Sequence, residues 1–102
     1  MSDPLDGPDV DPGEGWPCYL APEAESFLLD PATDPQLFSA VLAATVAINT
    51  HRGDVPGHSA SAKWPEQRRL ALGPDGALGV AEYVVVAHAD PPHCVLTRVQ
   101  PY

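Results

Sequence analysis

The stretch DPQLFSAVLAATVAINTHRG, residues 34–53, decides how this chain folds. Asp34 offers a side-chain acceptor of the kind that caps a helix, and Pro35 suits the first helical position, where no backbone N–H is needed. Leu37, Val41, Ala44 and Ile48 follow at spacings of 4, 3 and 4 residues, which places them on one face of a helix. Phe38, Leu42 and Ala47 widen that stripe, and Gly53 supplies a stop. A helix with so broad an apolar face has to cover something, and the only candidate partner is a sheet.

The sheet is legible downstream. In QRRLALG, residues 67–73, Leu70 and Leu72 share one face while Arg69 and Ala71 share the other. GPDGALG is a turn, VAEYVVVAHA a second strand, DPP a tight turn and HCVLTRVQ a third strand. Three consecutive strands make an antiparallel meander. Upstream, WPCYLA (16–21) reads as an edge strand or short extended piece because Pro17 interrupts it, and APEAESFLLD (21–30) as one to two turns of helix opened by Pro22. GDVPGHSASAKWPE (53–66) lacks periodicity and reads as a loop. The expected fold is α+β: two N-terminal helices packed on an antiparallel sheet of three to four strands.

At 102 residues the chain is one domain by length, and its 13 prolines and 8 glycines predict short elements. The net charge of -9 is concentrated at the front. Residues 1–34 hold nine acids and no Lys or Arg, whereas the other 68 hold five acids and all five bases, Arg52, Lys63, Arg68, Arg69 and Arg98. Such a chain repels nucleic-acid phosphates at long range, which disfavours a general DNA or RNA binder. Residues 1–15, MSDPLDGPDVDPGEG, have almost nothing to bury and are expected to form a flexible acidic tail, leaving 16–102 as the single domain. Cys18 and Cys94 without an apolar leader point to a reducing, cytoplasmic setting, with both thiols buried as small apolar groups rather than bridged. No apolar run is long enough to span a bilayer, so a soluble protein without a membrane partner is expected.

The order short strand, PEAE, helix, loop, RRL, glycine turn, EYVVV, turn, VLTRV resembles the RelE/ParE superfamily of bacterial toxins from type II toxin–antitoxin pairs. The matching residues are Pro22–Glu25, Arg69 with Leu70, Tyr83–Val86 and Val95–Val99, so the resemblance spans residues 16–102. It implies a RelE/ParE-like domain that binds a macromolecular target, ribosome-associated mRNA or DNA gyrase. A cognate antitoxin protein would neutralise it by covering the groove between helix and sheet and pairing its acids with Arg69 and Arg98. Ribonuclease members look positively charged on the sheet face. Here the second strand keeps only Arg68 and Arg69, preceded by Lys63, and Tyr102 stands where an arginine often follows the last strand. Gyrase-binding members need no catalytic set, and a non-enzymatic protein-interaction module on the same scaffold needs still less.

RNA cleavage by a 2′-hydroxyl requires a proton acceptor, a proton donor and cations that balance the phosphorane charge. Arg69 and Arg98 are the candidate cations and Tyr102 the candidate proton carrier, with His88 or His93 as alternatives; an active protein would then be a metal-independent endoribonuclease. Period-2 alternation puts Arg98 on the face of Cys94 and Leu96, and Arg68 on the face of Leu70 and Leu72, so that Arg69 is favoured to share a site with Arg98. Glu82, on the face of Val84 and Val86 in a regular strand, either marks the strand start or pairs with Arg69 or Arg98. Lys63, Trp64, Arg68 and Tyr83 are candidate partner-binding residues, although Tyr83 also fits a core aromatic with its hydroxyl bonded at the sheet edge. His51, His58, His88, His93 and Cys94 lack the paired short spacings of a zinc site, so no metal is expected. Nor is there a phosphate loop or dinucleotide fingerprint, so no cofactor is expected.

Overall fold

The computed structural model describes residues 15–102. The expected acidic tail lies outside the described residues except for Gly15, which sits against Asn49. The elements are β1 (Cys18–Leu20), α1 (Pro22–Leu29), α2 (Pro35–Thr50), β2 (Ser59–Ala60), β3 (Gln67–Leu72), β4 (Gly79–Val86) and β5 (His93–Pro101). They form a single sheet in the order β1-β5-β4-β3-β2, with both helices packed on it. The α+β architecture with two helices is therefore as expected. The strand count is not: among the described residues there are five strands, and the sheet is mixed because β1 runs parallel to β5 while the other pairs are antiparallel. No helix among the described residues is long and apolar enough to cross a membrane.

Helix α2 is built as its sequence dictates. The Asp34 carboxylate accepts hydrogen bonds from the backbone N–H groups of Gln36 (2.8 Å) and Leu37 (3.4 Å), satisfying two donors that a helix start otherwise leaves orphaned. Leu37, Val41, Ala44 and Ile48 are buried. The chain leaves the helix through Gly53, whose N–H donates to the Ile48 carbonyl at 2.9 Å and whose φ is +86°. A Cβ there would come within 2.4 Å of Val85 Cγ2, so both conformation and space require glycine. The close approach lets the end of α2 seat directly on β4.

The core lies between α2 and the inner face of β3, β4 and β5, with Leu72, Ala81, Tyr83, Cys94, Leu96 and Val99 buried beneath the helices. Strand alternation fails at one point. In β5 the register passes from Tyr83↔Leu96 to Glu82↔Arg98, leaving Thr97 as an extra residue; its hydroxyl donates to the Glu82 carbonyl at 3.0 Å. This β-bulge lets Val99 return to the core. Arg98 consequently does not share the inner face of Cys94 and Leu96, as strict alternation predicts, because the inserted residue shifts the phase by one.

Candidate functional site: two surfaces flanking strand β3

The first surface is on the outer face of the sheet. Arg69, Glu82 and Arg98 occupy successive positions across β3, β4 and β5, since Arg69 is the register partner of Glu82 and Glu82 of Arg98. Arg69 Nε lies 3.5 Å from Glu82 Oε2, the cross-strand pair that the sequence suggests. Arg98 takes a different partner: its Nε lies 3.6 Å from Glu23 Oε2 in the first turn of α1. The two arginines are thus two strands apart, about 10 Å between backbones, and each is matched to its own carboxylate. An open cleft of about 500 Å³ surrounds Arg69 and Glu82, lined also by Ser59, Ser61, Gln67 and Thr97.

Tyr102 is not gathered into this cluster. It lies four residues beyond Arg98, about 13 Å along an extended strand, and its backbone N–H donates to the Leu78 carbonyl at 3.2 Å. Its side chain is 82% exposed. Two of the four histidines are held locally: His58 Nδ1 is 2.7 Å from the Val55 carbonyl, His93 Nδ1 is 3.0 Å from the Pro91 carbonyl, and the His93 ring meets Tyr19 edge-on at 5.2 Å. Among the described residues no group of three or more His, Cys, Asp or Glu is placed to hold a metal ion.

Two of the four candidate partner-binding residues are structural. Tyr83 is 1% exposed and its hydroxyl donates to the Gly53 carbonyl at 2.7 Å, so it cannot meet a partner without unfolding. Burial pushes its phenol up to about 12, against the opposing pull of the neighbouring Arg68 guanidinium. Arg68 reaches across the inner face, where Nη1 donates to the same Gly53 carbonyl at 2.8 Å and also pairs with the Asp54 carboxylate. Nη1 thereby fastens the loop after α2 to the sheet, while Nε donates to the Pro65 carbonyl at 3.2 Å. Trp64 and Lys63 remain outside, with the ammonium 5.7 Å from the centroid of the half-exposed indole.

The second surface was not singled out by residue patterns, yet its signal is in the sequence. Helix α2 contains no charged residue over its 16 positions. Its inner stripe is buried, but Phe38, Leu42 and Val46, spaced by four, are 38%, 44% and 65% exposed on the other side. Along the flank facing β3, Ala40, Ala43 and Ala47 are too small to reach Leu70 and Leu72. The result is a groove of about 830 Å³ lined by these residues with Gly73, Pro74 and Leu78, and no lining residue carries a charge. A surface helix ordinarily turns a charged face to water. This one offers apolar surface on both exposed sides.

Compared with family models, with curated proteins and with solved structures, the chain gives no match.

Proposed function

We propose that this protein is a toxin-like component of a type II toxin–antitoxin pair, working by binding a macromolecular target and neutralised by a partner protein seated on α2. The observation that carries this reading is the uncharged helix with its groove against β3. A helix or extended segment with apolar side chains at regular spacing fits such a groove. The element order strand, helix, helix and successive strands supports the same reading, because it is the order on which the RelE/ParE resemblance rests.

The geometry favours binding over cutting. Arg69 and Arg98 face separate carboxylates, and Tyr102 is well away along β5. The second reading, a non-enzymatic protein-interaction module on the same scaffold, draws on those same distances. Induced expression, with growth and RNA integrity followed together, separates the possibilities. Growth arrest with intact RNA, relieved by co-expression of a small gene found adjoining its own, is the expected result. Arrest with new RNA ends that vanish in Arg69→Ala returns the endoribonuclease reading, and unimpaired growth leaves the interaction module.

A further inference from the structure

We propose that Cys18 and Cys94 form a modification site, a thiol pair that closes to an intramolecular disulfide on exchange with a small-molecule disulfide and fastens β1 to the body of the sheet. They are the only two cysteines in the chain, and both are free thiols. Separated by 76 positions, they meet as register partners of the parallel β1–β5 pair. Residues directly opposite in neighbouring strands point to the same face and have backbones roughly 5 Å apart, inside the range of about 4.4–6.8 Å between Cα atoms that a disulfide bridges. The backbone at this point is already fixed on both sides, by Cys94 N–H to the Pro17 carbonyl at 2.8 Å and Ala21 N–H to the Leu96 carbonyl at 2.9 Å.

The two thiols differ in access, and this sets the order of events. Cys18, in the edge strand, is partly exposed, whereas Cys94 is wholly buried. Cys18 as thiolate attacks the small disulfide, forming a mixed disulfide and releasing one small thiol. Cys94 then attacks the Cys18 sulfur, breaking the mixed disulfide, and its proton goes to the departing thiolate, which leaves as the second small thiol. Two protein thiols are oxidised and one small disulfide is reduced to two thiols. Cys94 Sγ rests against Gly53, where a built Cβ would lie 3.2 Å from it, so closure needs a side-chain rotation rather than a movement of strands. Burial and the neighbouring thiol hold Cys18 up at about 11, so exchange is slow at neutral pH and quickens as pH rises.

The full chain is incubated with oxidised glutathione at about pH 9, then alkylated and weighed intact. The expected product is a monomer lighter by two hydrogens with neither cysteine alkylated, and a thermal midpoint higher by roughly 10 °C or more, since the bridge closes a long loop. Cys18→Ser, or Cys18→Ala if the serine perturbs folding, must abolish both changes. Wild-type protein that carries glutathione adducts without an internal bridge, or that links only chain to chain, overturns the proposal.

Discussion

Gly53 joins more of this structure than any neighbouring residue. Its positive φ turns the chain out of α2, its missing side chain admits Val85 and Cys94, and its carbonyl collects both Tyr83 and Arg68. Gly53→Ala is expected to cost about 2–4 kcal/mol, from the left-handed backbone and the overlap with Val85, read as a drop in the urea midpoint without a change in slope. Tyr83→Phe is expected to cost only about 1 kcal/mol, because Arg68 still satisfies the carbonyl that the hydroxyl leaves. The same residues set an alkaline limit. Cys18 rises from 9.0 to about 11 and Tyr83 from 10.0 to about 12 on folding. Groups whose folded values are raised contribute stability that is fully present below the unfolded value and is lost as pH rises through the folded one. Denaturant midpoints should therefore hold up to about pH 9 and fall from there to about pH 12, with the early part of the fall shallower in Cys18→Ser, where the Cys94 thiol, also pushed up by burial, still contributes. At this scale the sequence was readable where one residue type answers one local demand: Asp34 as a cap, Tyr83 with a bonded hydroxyl; for Glu82 it left Arg69 and Arg98 open as partners, and the structure pairs it with Arg69. It was not readable at Arg98, because nothing local announces the extra residue at Thr97 that changes the strand's phase.

Among the elements, α2 and β4 show how hydrophobic period specifies structure and where it stops. The 4-3-4 spacing of Leu37, Val41, Ala44 and Ile48 named the buried face of α2 correctly, and in β4 the buried positions alternate through Gly79, Ala81 and Tyr83. The two-residue strand β2 escaped notice because so short a segment carries no period at all. The parallel pairing of β1 with β5 escaped notice because it joins opposite ends of the domain, and only the tertiary fold brings them together. The exposed side of α2 invites a direct comparison. Ile48→Ala removes fully buried side-chain atoms and is expected to cost about 2–5 kcal/mol. Val46→Lys, two residues earlier, lies on the open side and should change stability by about 0.5 kcal/mol or less. Thermal melts of the two variants distinguish a core face from a surface held open for another molecule.

Taken as a whole, the molecule divides its labour across the sheet. The helix side supplies the core and, along α2, an uncharged surface that its own chain leaves partly uncovered among the described residues. The outer side carries Arg69 paired with Glu82 in an open cleft. The α+β class and the helix-on-sheet arrangement were visible in the sequence because both follow from periodicity. The residues that line the groove between helix and sheet were not, because it arises from what alanines fail to fill between two elements that are distant in sequence. The most direct test of α2 as the docking surface is a rescue experiment in growing cells. Wild-type protein and Ala43→Glu, which places a charge inside the groove, are induced with and without a neutralising partner selected by rescue of the wild type. Both are expected to arrest growth, and only the wild type to be rescued; equal rescue of the two, or no arrest by the wild type, contradicts the account.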